Sequence, residues 1–162
     1  MTLDLAIVIP VGPNDESWRK LLPQLAAWPA RDIVMVFPEQ LAPAEPRPEL
    51  TDPRVQVILA PRGRALQLNA GARVSTTRWL WFLHADSVLG DSALSAVTQH
   101  IAGPDRALGY FDLRFLNDGP AWMAINTFGA WIRSRLLGMP FGDQGFWSRE
   151  CCSISSMDSM RR

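Results

Sequence analysis

Residues 79–87 read WLWFLHADS, and we place the centre of the fold on them. The run from Trp79 to Leu83 is apolar on both faces, which predicts a strand covered on both sides in the interior of a sheet. His84 and Asp86 follow this run at its carboxyl end. Because alternate side chains of an extended segment point the same way, these two groups are predicted to share one side of the strand end.

Apolar runs on either side of this strand predict an α/β fold, in which strands alternate with helices around a mostly parallel sheet. The other predicted strands cover residues 3–9, 32–37, 54–59 and 107–115. The predicted helices cover residues 15–27, 65–74 and 120–137, with a fourth that Asp91 caps and that ends near Ile101. Five prolines between residues 38 and 53 predict a long loop.

The length and composition indicate one globular domain. The chain has 162 residues, of which 48% are apolar and 20% charged, and this excludes a disordered or fibrous protein. We expect a single domain over residues 1–150. Residues 151–162 form an atypical tail that is rich in Ser and Met and has no strand or helix pattern.

The charges and cysteines exclude several classes of protein. Sixteen basic and sixteen acidic residues cancel, which argues against a general binder of nucleic acids or anionic membranes. Cys151 and Cys152 are adjacent and cannot complete a metal quartet. The first residues lack the basic region of a signal peptide. We therefore expect a soluble protein in the cytoplasm.

The predicted helix at 120–137 carries several apolar side chains on one side, among them Trp122, Phe128 and Trp131. Packing against the core is the simplest interpretation of this apolar side. A homodimer face or a peripheral contact with a membrane is the alternative.

The carboxyl ends of the predicted strands bring together residues with complementary chemistry, since ligands of parallel α/β sheets bind beyond these ends. The candidates are Pro10 to Glu16, Glu39, Arg62, Arg64, His84 and Asp86. Carboxylate and imidazole groups that face two guanidiniums suit a divalent cation and a phosphorylated ligand, and imidazole suits Mn²⁺ better than Mg²⁺. The alternative is that Asp86 only caps a turn and His84 is an ordinary histidine at a sheet edge.

Two further segments have polar side chains beside glycines. In residues 62–72, RGRALQLNAGA, Gly63 permits a tight turn, and Arg62, Arg64, Gln67 and Asn69 could reach phosphates or a base. In residues 138–145, GMPFGDQG, the Asp143 carboxylate could orient a sugar hydroxyl or act as a base. A solvated helix start and a plain turn are the alternatives for the two segments.

Together these segments resemble the family-2-type glycosyltransferases. The matching motifs, in the family's order, are AIVIP, RGRALQLNAGA, WLWFLHADSVL, GYFDLRF and RSRLLGMPFGDQGFWSRE. The chain is similar in particular to a small bacterial subgroup whose members read RGRAxQMNxGA, FLHADT and GDQG. The resemblance covers residues 3–150 and implies a GT-A fold, a nucleotide-sugar donor and a divalent cation, Mn²⁺ or Mg²⁺, held through a DxD-like motif.

The resemblance also implies roles for individual residues. Asp86 matches the metal-contacting second Asp of the DxD-like motif, and His84 stands at its first position, as in the subgroup. The residues that match nucleotide-contacting segments are Pro10, the acidic cluster from Asn14 to Glu16, Arg64 and Asn69, and Arg62 could add charge at the diphosphate. Glu39 is the nearest substitute for a base-holding Asp after the second strand. Asp143 and Gln144 match an acceptor-side GDQ.

The implied activity is a metal-assisted, inverting transfer of a sugar from a nucleoside diphosphate to an unknown glycan, lipid or small-molecule acceptor. Family members continue past the match with an acidic Glu-Asp motif that carries the expected general base, and nothing after Glu150 resembles it. The expectation is therefore a C-terminally truncated GT-A domain, with Asp143 as the only upstream candidate base. The alternative is a catalytically inactive, nucleotide-binding remnant.

Overall fold

The computed structural model describes residues 2–41, 50–90, 92–103, 108–110 and 146–149. The strands are β1 Leu3–Pro10, β2 Ala30–Pro38, β3 Val55–Ala60, β4 Trp79–Phe82, β5 Leu108–Tyr110 and β6 Phe146–Arg149. The helices are α1 Trp18–Leu25, α2 Arg64–Val74 and α3 Ala93–Ala102, and a short 3-10 helix, Glu39–Leu41, follows β2. No described helix is long and apolar enough to cross a membrane.

The described strands form one sheet in the order β3-β2-β1-β4-β6-β5. The pairs β1–β2, β2–β3 and β1–β4 are parallel, and β6 runs antiparallel to β4 and β5. The predicted α/β fold with a mostly parallel sheet is confirmed. Strand β4 is interior, as predicted, and its four side chains are all buried because they have neighbours on both faces of the sheet.

The core lies in two layers, one on each face of the sheet. On one face, Leu5, Ile7 and Ile9 of β1 belong to a cluster with the buried side of α1. On the other face, Ala6 and Val8 belong to a cluster with α2. This alternation along β1 follows from the two-residue period of a strand, and it explains why a run without polar residues is needed there.

Gly71 lets α2 approach the sheet closely. A Cβ placed on Gly71 would lie 2.3 Å from Cγ1 of Val8 and 3.2 Å from Cγ2 of Val36. Only a residue without a side chain fits at this contact, so Gly71 sets how closely α2 packs against β1 and β2.

Several predicted bounds differ from the observed ones. Helix α1 begins at Trp18 instead of residue 15, because Asp15 forms a turn before it. Ser92 occupies the N-cap position of α3, and its side chain makes no capping hydrogen bond; Asp91 itself lies outside the described residues. Pro38 was assigned to the loop but is the last residue of β2.

Strand β6 was not predicted, because its four residues are too short to show a pattern. The predicted helix at 120–137, the rest of the strand predicted at 107–115, Asp143, Gln144 and the tail at 151–162 lie outside the described residues.

Candidate functional site

A cavity of about 250 Å³ opens at the carboxyl edge of the parallel strands. The chain proceeds from β1 to β2 and β3 on one side and then returns to place β4 on the other side of β1. The loops after β1 and β4 therefore diverge, and a crevice forms where the strand order reverses. The residues that line the cavity are Pro10, Gly12, Pro13, Asp15, Arg62, Gly63, Arg64, Gln67, His84, Ala85 and Asp86.

The loop after β1 forms one wall. Pro10 ends the strand because it has no N–H to continue the ladder, and the Val11 N–H then donates to Val36 O of β2 at 2.9 Å. Asn14 adopts a left-handed conformation, with φ of 61°, which asparagine tolerates better than most residues. Oδ1 of Asp15 accepts a hydrogen bond from the Ser17 N–H at 2.9 Å, so this carboxylate is fixed between α1 and the cavity.

The turn before α2 forms the second wall. Gly63 has φ of 141°, a conformation that side chains disfavour, and it places Arg62 and Arg64 on either side of the start of the helix. One turn further along, Nε2 of Gln67 donates to Val11 O and to Val36 O, each at 2.8 Å. Gln67 thereby ties the helix to the ends of β1 and β2.

The segment after β4 forms the third wall. The Leu83 N–H continues the ladder to Val8 O at 3.0 Å, and the Ser87 N–H donates to His84 O at 3.2 Å. The chain thus turns directly after the strand. Ala85 is buried, while His84 is half-buried and Asp86 is exposed, and all three line the cavity. His84 and Asp86 reach one cavity because the chain turns after the strand, and the intervening Ala85 lines it as well.

The structure brings predicted site residues from several segments together in this cavity: Pro10, Asp15, Arg62, Arg64, Gln67, His84 and Asp86. The exposed carboxylate of Asp86 lies on the same side of the sheet edge as the arginine turn. Asp143 and Gln144 lie outside the described residues, so their placement stays a prediction.

Four predicted site residues do not line the cavity. Asn14 is exposed in the turn, and Glu16 forms an ion pair with Arg19 on the outer side of α1. Glu39 starts the 3-10 helix and is exposed. Asn69 is buried in α2 two residues after Gln67, which turns it about 200° around the helix axis, away from the cavity.

Two residues that line the cavity, Asp15 and Gln67, contribute more to the site than the sequence indicated. Asp15 is the acidic residue of the first loop that lines the cavity, and its carboxylate is held by the Ser17 N–H in the turn before α1. Gln67 had been grouped with three other polar residues of its segment. Its spacing of three residues from Arg64, which places both on one face of a helix, is the signal that could have singled it out.

The described residues do not enclose a metal ion by themselves. Among the described residues, no three His, Cys, Asp or Glu side chains cluster closely enough to enclose a metal ion. His84 and Asp86 offer one imidazole and one carboxylate at the cavity wall. Two such ligands fit a cation that takes its remaining ligands from phosphate oxygens and water.

Comparisons with known proteins agree with this architecture. The family model for glycosyl transferase family 2 matches residues 38–157, whereas a search of curated proteins found no match. Among solved structures, a mannosyltransferase from Pyrobaculum calidifontis in complex with GDP-Man and Mn²⁺ is similar with a TM-score of 0.63 and 15% identity, over 92% of this chain and 45% of that one.

Two further structures share the fold. Glucosyl-3-phosphoglycerate synthase from Mycobacterium tuberculosis in complex with UDP has a TM-score of 0.56 and 10% identity, over 90% of this chain and 56% of that one. The 4-diphosphocytidyl-2C-methyl-D-erythritol synthase from Anaerococcus prevotii has a TM-score of 0.65 and 7% identity, over 99% and 75%.

The two glycosyltransferase neighbours and the family model point to one fold, the GT-A fold with its Rossmann-like parallel sheet. The chain spans about half the length of these two glycosyltransferases. Because the family model matches well over half of its residues, the chain belongs to glycosyl transferase family 2.

Proposed function

We propose that the cavity binds the nucleoside diphosphate of a sugar donor and that the protein takes part in transfer of that sugar to an acceptor hydroxyl with inversion. The observation that carries the proposal is the meeting of Arg62, Arg64, His84 and Asp86 around one crevice at the carboxyl edge of the sheet. Guanidiniums recognise phosphate oxygens through paired hydrogen bonds. Membership of glycosyl transferase family 2 supports the choice of a nucleotide sugar as the ligand.

The charges of the cavity support a role for a divalent cation. Among the described lining residues, the two guanidiniums of Arg62 and Arg64 are offset by the two carboxylates of Asp15 and Asp86. The cavity lining that a diphosphate would contact therefore carries no net positive charge. We propose that His84 and Asp86 hold Mn²⁺ or Mg²⁺ there, and the bound cation supplies the positive charge that stabilises the leaving diphosphate.

The transfer forms one bond and breaks another. The acceptor oxygen bonds to the anomeric carbon from the face opposite the diphosphate, the bond from that carbon to the diphosphate oxygen breaks, and the hydroxyl proton passes to a base. Arg62 and Arg64 would donate hydrogen bonds to the departing diphosphate. Attack from the opposite face inverts the configuration of the sugar.

Asp143 is our proposal for the base. Antiparallel pairing places Phe146, the first residue of β6, at the carboxyl edge of β4, where His84 and Asp86 follow that strand. Asp143 precedes Phe146 by three residues in the sequence. This order supports a contribution of the GDQ segment to the same edge of the sheet.

Calorimetric titration of UDP and GDP in the presence of Mn²⁺ tests the proposal. Asp86→Asn removes the exposed carboxylate and is expected to weaken binding by at least about tenfold, which is the size of one lost charge-assisted contact. The control is Asp4→Asn, which removes another exposed carboxylate, at the start of β1, that pairs with Arg31. Equal affinities of wild type and Asp86→Asn would contradict the proposal.

A nucleotide-binding role without transfer is the second candidate. Among the described lining residues, the carboxylates are those of Asp15, which accepts a hydrogen bond from the Ser17 N–H just before α1, and Asp86, which we assign to the cation. Neither is left to act as the base. Release of free sugar from a nucleotide-sugar donor supports transfer chemistry, whereas binding without any release or transfer supports the second candidate.

A further inference from the structure

The segment that follows β4 is tied to other parts of the chain at both of its ends. At its start, the Leu83 N–H continues the sheet ladder to β1. Near its end, the Leu89 N–H donates to Oε1 of Gln24 in α1 at 3.0 Å. His84 and Asp86 lie between these two contacts. A side chain of α1 therefore holds the segment that carries both proposed ligands of the cation.

The amide of Gln24 is oriented by backbone groups on both sides. Its Nε2 donates to Lys20 O at 2.9 Å, one helical turn earlier, while its Oε1 accepts from the Leu89 N–H. If the amide were turned over, its oxygen would face a carbonyl oxygen and its NH₂ group would face an N–H, so both hydrogen bonds would be lost. The helix itself thus directs the acceptor towards Leu89.

Helix α1 is a well-packed base for this contact. The side chains of Trp18, Leu21 and Leu25 are fully buried and belong to the cluster on one face of the sheet. Gln24 directly precedes Leu25 and is half-buried. Its hydrogen bond therefore fixes the segment after β4 relative to the core.

The residues just before Leu89 gain little support from packing. Asp86 is exposed, and the side chain of Val88 is 65% exposed. The side chain of Leu89 is partly buried against the core, but apolar contact has no preferred direction. A hydrogen bond does have one, so the contact with Gln24 sets the course of the chain from Asp86 to Leu89.

The proposed cation site needs support of this kind. Two protein ligands bind a cation well only when their separation is already maintained, because ordering a loose segment on binding costs affinity. Groups that orient metal ligands without touching the metal accordingly change the affinity of metal sites.

We infer that Gln24 is a positioning residue for the cation: by accepting the hydrogen bond of the Leu89 N–H, it holds the segment that carries His84 and Asp86. The inference rests on the proposed function, because it requires these two residues to hold the cation. It gives a role in the site to α1, whose side chains do not line the cavity.

The test titrates Mn²⁺ at a fixed concentration of UDP or GDP and measures the Mn²⁺ concentration that gives half-maximal nucleotide binding. Gln24→Met removes the acceptor at similar side-chain length and should raise this concentration about 3- to 10-fold, the range of one net hydrogen bond. Gln24→Glu keeps an oxygen for the Leu89 N–H and should stay within about twofold of wild type. The matched control is Gln99→Met, the same change at an exposed position of α3, which should leave the value unchanged.

The requirement for Mn²⁺ separates positioning of the ligands from general stabilisation of the fold. A lower thermal stability of Gln24→Met with an unchanged Mn²⁺ requirement would show that Gln24 only stabilises the fold, and the inference would be wrong. An equal rise in Gln24→Met and Gln24→Glu would overturn it as well, since the acceptor would not matter. Absence of nucleotide binding by wild type at every Mn²⁺ concentration would instead refute the proposed function.

A second measurement needs no variant and decides the matter if Gln24→Met does not fold. Coupling between two events is reciprocal, so binding of the cation with its nucleotide should strengthen the contact at Leu89. Hydrogen exchange followed by NMR, with diamagnetic Mg²⁺ as the cation, should show the Leu89 amide exchanging about 3- to 10-fold more slowly in the complex. The Gly103 amide, which donates to His100 O at the end of α3, is the control and should change less. An unchanged exchange rate at Leu89 would overturn the inference.

Discussion

Arg54 shows at the scale of one residue how the end of α1 is held near the sheet. Its guanidinium donates to the carbonyl oxygens of Leu25, Ala26 and Trp28, and to the carboxylate of Asp52, with 2.6 Å between Nη2 and Oδ2. A helix leaves its last carbonyl groups without partners, and a cation at this end satisfies them. Hydrogen bonds from Arg54 lower the pKa of Asp52 below its usual 3.8.

This pair predicts a pH dependence of stability. Because the pKa of Asp52 is lower in the folded than in the unfolded protein, its contribution is full above the unfolded value and is lost as the pH falls through the folded value. Asp52→Asn should therefore reduce the free energy of unfolding by about 1 kcal/mol at pH 7. Urea denaturation between pH 7 and 3 should show this difference shrinking with acidification. An equal difference between wild type and Asp52→Asn at pH 7 and at pH 3 would contradict a stabilising role of the Asp52 carboxylate.

Helix α2 decides the shape of the site at the scale of the element. It carries Arg64 and Gln67, and Gly71 brings it against Val8 and Val36. The same helix shows which parts of the site were predictable. The apolar runs and the glycine-marked turn placed the arginines at the strand ends, but the contacts of Gln67 depend on the backbone carbonyls of Val11 and Val36, which no local pattern reports.

Gly71→Ala should displace α2. The new methyl group would overlap a buried valine, and overpacking of this kind costs about 1–3 kcal/mol, more than alanine's better helix propensity returns. We expect a net loss of at least about 1 kcal/mol in thermal or urea denaturation, with weaker nucleotide binding because Gln67 moves with the helix. Gly90→Ala is the control, since a Cβ there meets no atom within 4 Å. Equal stabilities of the two variants would show that α2 does not depend on this contact.

At the scale of the whole molecule, the parallel sheet brings the residues of the site together at one edge. Strands β1 and β4 run in the same direction, so the loops that follow them end at one edge whatever their sequences are. The buried runs of β-branched and aromatic residues made this arrangement predictable. Glu39 and Asn69 lie near that edge but do not line the cavity, because a strand end and a helix segment fix the neighbourhood of a residue but not the direction of its side chain.

The antiparallel strand β6 could not be predicted from local sequence patterns. Its pairing with β4 joins segments about seventy residues apart in the sequence, and four residues carry no periodicity that predicts it. The pairing nevertheless brings the chain that follows the GDQ segment to the edge occupied by His84 and Asp86.

The most direct test asks whether this edge binds a nucleoside diphosphate together with a cation. Thermal denaturation of the wild-type protein is measured with UDP or GDP, once with Mn²⁺ and once with a metal chelator instead. With Mn²⁺ and a nucleotide concentration of about 100 times its Kd, we expect stabilisation by about 2.7 kcal/mol. The chelator should abolish most of that gain. A melting temperature that neither nucleotide raises, or that rises equally with and without the cation, would contradict cation-assisted binding of a nucleoside diphosphate at this edge.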